Sequence, residues 1–138
     1  MNKLKINFEK RRGKLSENLL DRSIVILSSS QLISRNSDSN YPFRQNSNFF
    51  YLTGFDEPES LMILKKNEKG SEFVLFCLDR DPLREQWDGF RAGQEGAISD
   101  FGANKAHSIS KLDDIMPSLL NGVENIYYSM SDSNGIDI

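Results

Sequence analysis

The sequence predicts a single α/β domain of 138 residues, built on a mixed β-sheet that is flanked by helices. Two observations carry this prediction. Short apolar runs rich in β-branched residues are typical of strands, and residues 23–27 (SIVIL) are apolar enough to be covered on both faces. Further strand-like runs then alternate with amphipathic stretches in the second half, which is the order expected when helices pack against a sheet.

The first predicted element is an amphipathic helix. Phe8, Leu15 and Leu19 fall on one helical face, and Asn7 is a suitable N-cap. We expect the opposite face to be solvated, and without interleaved aromatic residues it does not favour a nucleic-acid patch. The charged residues on that face are Glu9, Lys10, Arg11, Arg12, Lys14 and Glu17.

Three more strands are predicted at residues 49–53, 61–65 and 73–78. Gly54 supplies a turn after the first, and residues 67–70 (NEKG) form a short glycine-ended loop typical of a hairpin between the other two. The remaining predicted elements are a helical turn that begins at Pro82, a helix over 94–101, a strand over 106–109, a helix over 111–120 and a strand over 124–130.

Composition excludes several classes of protein. Seventeen basic and twenty acidic residues give a net charge of −3, which argues against a dedicated nucleic-acid binder. The longest apolar run has six residues, and the N-terminal segment lacks the apolar region of a signal peptide. Cys77 lies inside an apolar run and is expected to be buried rather than reactive. Together these features favour a soluble, cytoplasmic protein with no membrane partner.

No catalytic motif is present in the sequence. His107 is the only histidine, and we expect it to be structural or exposed rather than a metal ligand. The carboxylates between residues 79 and 88 are expected to be solvated. Trp87 lies on no apolar stripe and is followed by a glycine and Arg91, so it is a candidate binding anchor; the alternative is that it folds back onto its own domain.

Residues 36–58 mix aromatic and polar side chains, which is typical of a surface that contacts another molecule. We interpret this segment as a structured loop that enters a strand. Its stretch DSNYPFRQNSNFFYLTGFDEP (residues 38–58) closely resembles the signature of the N-terminal domain of aminopeptidase P. The resemblance extends to FEKRR (residues 8–12) and to EQWDGFRAGQ (residues 85–94), and so covers nearly the whole chain.

The resemblance implies a creatinase/prolidase N-terminal domain, somewhat like ribonuclease H in topology. Such a domain is not catalytic: it builds an oligomer, typically a tetramer, and narrows the entrance to a neighbouring subunit's active site. The reaction belongs to a second, pita-bread domain that 138 residues cannot also contain. That domain holds two metal ions, usually manganese, and removes an N-terminal residue that precedes proline. No cofactor is therefore expected in this chain itself.

The resemblance also assigns roles to individual residues. Trp87 matches the family's tryptophan that reaches toward the active site, Asp38 matches an acidic residue at the entrance, and Arg91 keeps a basic position. Asp88 and Phe90 depart from the commoner pattern, which has a hydrophobic residue and an arginine there. The further residues expected at the entrance or interface are Tyr41, Arg44 and Asn46.

Two alternatives remain open from the sequence. Related domains occur in non-enzymatic proteins such as a histone-chaperone subunit, where the same fold only recognises a partner. The chain could also be the N-terminal domain of a prolidase or a creatinase, which act on dipeptides or creatine.

Overall fold

The structure is a computed structural model that describes residues 3–29, 34–35, 39–40 and 45–129. Its helices are α1 (Lys3–Glu17), α2 (Ser47–Thr53), α3 (Pro82–Asp88), α4 (Gly93–Phe101) and α5 (Leu112–Leu120). Its strands are β1 (Ser23–Ser28), β2 (Ser34–Arg35), β3 (Ser39–Asn40), β4 (Leu61–Asn67), β5 (Gly70–Cys77), β6 (Lys105–Ser108) and β7 (Asn125–Ser129).

Five strands form one mixed sheet in the order β6-β5-β4-β1-β7. Strands β1, β4 and β5 pair in antiparallel fashion, whereas β7 lies parallel to β1 and β6 lies parallel to β5. The hairpin between β4 and β5 closes where Asn67 pairs with Gly70, as predicted. The short strands β2 and β3 form a separate antiparallel pair. The predicted α/β class with a mixed sheet is confirmed.

The sheet is covered on both faces because successive strand residues point in opposite directions. In β4, Met62 and Leu64 pack into one buried cluster and Ile63 packs into the other. The first cluster is covered by α1, α2 and α4, and the second by α5. The continuous apolar runs seen in the sequence are therefore the central strands of a two-sided core.

The prediction of a strand at residues 49–53 was wrong, because this run forms helix α2. Asn46 caps the helix by accepting a hydrogen bond from the Phe49 backbone N–H at 3.0 Å. Phe49, Leu52 and Thr53 are buried, and their spacing is helical. Gly54 ends the helix with a φ of 68°, so the turn predicted there is confirmed. The aromatic residues favour strands locally, but the cap and the burial pattern decide the outcome.

The solvated face predicted for the first helix was wrong at Arg12. Its side chain is buried, donates to the Leu52 carbonyl at 2.9 Å and lies over the Phe73 ring at 4.1 Å. Burial lowers the pKa of Arg12 to about 10. Arg11 likewise donates to the Tyr51 carbonyl at 3.2 Å, so two arginines satisfy carbonyls at the C-terminus of α2.

The helix α1 also begins earlier than predicted, at Lys3, so Asn7 is not its cap. The second half of the chain follows the prediction closely. Pro82 occupies the first turn of α3, and Gly102 ends α4 in a left-handed conformation with a φ of 79°. Cys77 is buried as expected, and burial raises its pKa to about 12. Within the described ranges, no helix is both long enough and apolar enough to cross a membrane.

Candidate functional site

The candidate site is the segment of residues 79–92, which carries α3 and which we call the Trp87 loop. Trp87 is 85% exposed, and Leu83 and Phe90 are exposed to a similar degree. Leu83 and Trp87 are four residues apart and therefore lie on the same face of α3. The tryptophan does not fold back onto its own domain. Clustered exposed apolar side chains of this size are typical of an interaction surface.

Polar contacts, rather than a buried apolar face, hold the Trp87 loop in place. None of the apolar residues of α3 is buried. At its N-terminus, the Asp81 side chain accepts a hydrogen bond from the Arg84 backbone N–H at 3.3 Å. Arg84 and Asp88 form an exposed ion pair at 3.2 Å on the outer side of the helix. Such a pair contributes little to stability, so the loop needs a further anchor.

Glu85 provides that anchor. Its Oε2 accepts hydrogen bonds from the Arg80 Nε at 3.0 Å and from the Asp81 backbone N–H at 2.8 Å. Its Oε1 accepts from the Arg91 backbone N–H at 3.1 Å. The Glu85 side chain is only 9% exposed, so the prediction that the carboxylates of this stretch are solvated was wrong for this residue. The hydrogen bond from Arg80, helped by the two backbone donors, lowers the pKa of Glu85 to about 2.

The two ends of the Trp87 loop are also tied to each other and to the neighbouring segment. The Arg91 guanidinium donates to the Asp79 carbonyl at 2.9 Å, and Gln94 donates to the Asp79 carboxylate at 3.1 Å. The backbone N–H of Ala92 donates to Glu57 Oε2 at 2.8 Å. Glu57 belongs to the segment of residues 36–58, so this hydrogen bond joins the two stretches that the sequence singled out.

Glu57 is an unusual partner because its carboxylate is partly desolvated. Its Oε1 is buried and has no hydrogen-bond partner within the described part of the chain. Burial therefore raises the pKa of Glu57, and the hydrogen bond from Ala92 and the nearby Arg91 only partly oppose this effect. The folded structure therefore disfavours ionisation of this carboxyl group at the base of the Trp87 loop.

Arg80 closes the loop from the outside. Its guanidinium lies 4.9 Å from the centre of the Phe90 ring while donating to Glu85. Its aliphatic part packs over Gly93, where a Cβ atom would lie 2.7 Å from the Arg80 Cγ. Gly93 has a φ of 71°, so glycine is required there both for space and for backbone conformation.

The other predicted site residues are placed as follows. Arg91 lies in the Trp87 loop, where its guanidinium binds the Asp79 carbonyl. Asn46 lies at the N-terminus of α2, and its side chain serves as the helix cap. Three predicted residues lie outside the described part of the chain, and their roles stay predictions: Asp38, Tyr41 and Arg44.

The sequence did not predict the roles of Glu57 and Glu85. A signal for Glu85 was available, because an acidic residue four positions after an Asp-Pro helix start can reach back to the first backbone N–H groups. No local pattern identifies Glu57, since its partner Ala92 is 35 residues away in the sequence.

The described residues do not fit a metal centre. Over the described ranges, no group of three or more His, Cys, Asp or Glu side chains is arranged to hold a metal ion. The ring of His107 packs against Phe76, with ring centres 5.3 Å apart. The manganese pair implied by the resemblance therefore has no ligand set among these residues.

Comparison with known proteins gives a consistent result. The family model described as "Aminopeptidase P, N-terminal domain" matches residues 8–127. The chain is 38% identical over 124 residues to a Xaa-Pro aminopeptidase of Haemophilus influenzae, and this match covers 90% of the chain and 29% of that protein. It is 35% identical over 132 residues to the Xaa-Pro aminopeptidase of Escherichia coli, covering 95% of the chain and 30% of that protein.

Solved structures show the same likeness. The aminopeptidase PepP of Pseudomonas aeruginosa superposes with a TM-score of 0.85 at 46% identity, over 91% of this chain and 28% of that one. Aminopeptidase P of E. coli with the inhibitor Pro-Leu superposes with a TM-score of 0.87 at 34% identity, over 94% of this chain and 30% of that one. The chain thus spans less than a third of the length of these relatives.

Proposed function

Because this chain belongs to the family of aminopeptidase P N-terminal domains, we propose that it builds the oligomer and shapes substrate access in a Xaa-Pro aminopeptidase. In this proposal the chain contributes no catalytic residue. The reaction, removal of an N-terminal residue that precedes proline, takes place in a further domain of a longer polypeptide. Support for that arrangement comes from the matched relatives, of which this chain covers less than a third.

The observation that carries the proposal is the exposed tryptophan on an anchored loop. An indole with 85% of its surface exposed can bury a large apolar area against another subunit or a peptide. Its flat face suits the proline ring and the apolar part of a short peptide. The neighbouring Leu83 and Phe90 extend the apolar surface, which favours contact with a second copy of the chain.

The proposal extends to the setting of the full protein. We propose a homotetramer that acts on peptides with proline at the second position, with two manganese ions bound in the further domain. A cytoplasmic location is consistent with the charge balance and with a single, buried cysteine. Neither nucleic acid nor membrane is proposed as a partner.

Replacement of the tryptophan tests the access role. In the longer polypeptide, Trp87→Ala should lower kcat/KM for a Xaa-Pro peptide by about tenfold, the effect of losing one interface hot spot. The thermal midpoint of the domain should be unchanged in Trp87→Ala, since the indole is mostly exposed and packs against few residues of the domain. Ile98→Ala is a matched control, because this exposed residue of α4 lies outside the Trp87 loop. Unchanged kinetics in the Trp87 variant would contradict the access role.

The absence of catalysis in the domain itself has a separate test. The 138-residue chain, incubated with manganese and a Xaa-Pro peptide, should give no turnover. Reproducible turnover that a chelator abolishes would contradict the proposal. Sedimentation of the same chain, with and without Trp87→Ala, measures whether the apolar surface of the loop drives self-association.

A further inference from the structure

We propose that Glu85 is a positioning residue, which holds Trp87 in a fixed orientation by bridging the two ends of the Trp87 loop. This inference deepens the proposed function and rests on it for its meaning in catalysis. It is drawn from the hydrogen bonds of the loop, which exist whether or not Trp87 reaches an active site.

Helix α3 cannot hold itself in place. It has seven residues, and a helix of this length is not stable alone in water. It buries no apolar side chain, so hydrophobic packing does not fix it against the sheet. The orientation of Trp87 must therefore come from polar contacts at the ends of the helix.

Glu85 makes those polar contacts on both sides of the helix. One oxygen binds the backbone N–H of Asp81 before the helix, and the other binds the backbone N–H of Arg91 after it. Trp87 lies on the arc between these two donors. A single carboxylate thus closes the loop across its base, while Arg80 binds the first oxygen from outside.

The bridge depends on the negative charge of Glu85. Both oxygens must accept hydrogen bonds for the bridge to form. Only the ionised carboxylate has two acceptor oxygens and no O–H group that would compete as a donor. The hydrogen bond from Arg80 keeps the pKa of Glu85 at about 2, so the bridge persists over the whole physiological range. The exposed Arg84–Asp88 pair on the same helix lacks this role, because it connects two neighbouring turns and no other segment.

Glutamine is the sharpest replacement because it matches glutamate in size. In Glu85→Gln the amide oxygen can face either Asp81 or Arg91, and the amide NH₂ then meets an N–H donor at the other end. One side of the bridge is lost. Asp88→Asn is the matched control, since it also neutralises a carboxylate of α3 and removes an ion pair without touching the bridge.

The 138-residue chain is suitable for the direct test. In Glu85→Gln, hydrogen exchange should accelerate by about tenfold or more at whichever of the Asp81 and Arg91 amides loses its acceptor, as expected when a hydrogen bond to a charged acceptor is lost. The fluorescence anisotropy of Trp87, the only tryptophan, should fall at the same time. Asp88→Asn should leave both measurements unchanged. Wild-type exchange and anisotropy in Glu85→Gln, or equal changes in both variants, would overturn the inference.

A second variant covers the case in which Glu85→Gln unfolds. Arg80→Met removes one donor to Glu85 and leaves the two backbone donors in place. It should therefore keep the Arg91 amide largely protected. Loss of protection equal to that of an unfolded chain would show that the bridge does not close the loop by itself.

Kinetics of the longer polypeptide separate this inference from the proposed function. Glu85→Gln should lower kcat/KM, as Trp87→Ala does. The double variant should have a kcat/KM no lower than that of Trp87→Ala alone. If Trp87→Ala leaves the kinetics unchanged, the access role fails while the exchange test still decides whether Glu85 positions the loop. If Trp87→Ala impairs hydrolysis and Glu85→Gln does not, Glu85 has no positioning role.

Discussion

Substitution of Gly54 by alanine tests how the N-terminal helix packs on the segment that identifies the family. Gly54 ends α2 with a φ of 68°, and the ring of Phe8 from α1 lies directly against it. An added Cβ would lie 2.7 Å from Phe8 Cδ2 and 2.9 Å from Cζ, and closer still to Cε2. We expect Gly54→Ala to destabilise the domain through both backbone strain and overpacking.

The two contributions can be estimated separately. A left-handed alanine costs about 1 to 2 kcal/mol relative to glycine. Overpacking in a site that cannot relax costs about 1 to 3 kcal/mol. The aromatic ring is not a free end that can swing away, because Phe8 also packs edge-on against Phe50 with ring centres 5.8 Å apart. The sum is about 2 to 5 kcal/mol, or a fall of roughly 6 to 20 °C in the thermal midpoint of a domain this size.

Thermal and denaturant unfolding of the 138-residue chain measure this effect, and two glycines provide controls. Gly122 also has a positive φ, of 79°, but a Cβ there meets no described atom within 4 Å, so Gly122→Ala reports strain alone. Gly13 lies inside α1 with equal space, so Gly13→Ala should stabilise by about 1 kcal/mol. In a Phe8→Ala background, Gly54→Ala should cost only the strain. Equal losses in Gly54→Ala and Gly122→Ala would refute the described packing of Phe8.

Two further stability predictions concern buried charges. Arg12→Lys should lower the free energy of unfolding, measured in urea, by about 1 to 3 kcal/mol, because lysine cannot both donate to the Leu52 carbonyl and lie flat over Phe73. The same change at the less buried Arg11 is the control and should cost less. An equal cost at the two positions would contradict the role of burial. Glu57→Gln should raise the thermal midpoint at pH 7, because the raised pKa of Glu57 makes the folded state less stable as pH rises through that pKa. The stability gained by the variant should shrink on acidification. A variant less stable than the wild type at pH 7 would contradict the raised pKa.

The fold was largely predictable because most elements of this chain carry local signals. The β-branched run at residues 23–27, the glycine-ended hairpin loop and the amphipathic pattern of α5 each specify one structure without help from distant residues. The aromatic run at 49–53 was misassigned because its residue types favour a strand, whereas Asn46 and Gly54 at its two ends favour a helix. In that conflict the capping residues carry the more specific information.

The site was only partly predictable, for a physical reason. Trp87 was identified because an apolar residue outside any apolar stripe is unusual in a sequence. The burial of Arg12 and of Glu85 depends on partners supplied by other elements, and charged residues read from sequence alone are expected to be exposed. The hydrogen bond between Glu57 and Ala92 joins segments 35 residues apart, and no local pattern encodes it.

That long-range hydrogen bond joins two stretches that are far apart in the sequence. The segment of residues 36–58 ends beside Glu57, and the Trp87 loop ends at Ala92, so the carboxylate fixes the end of one against the end of the other. Burial disfavours ionisation of the Glu57 carboxyl group, whose Oε1 has no hydrogen-bond partner among the described residues. A glutamine would form the same hydrogen bond at less expense. Arg80 and Arg91 lie close enough to oppose the effect of burial in part, and both belong to the loop that presents Trp87, so removal of the Glu57 carboxyl group would also weaken an electrostatic contact with that loop.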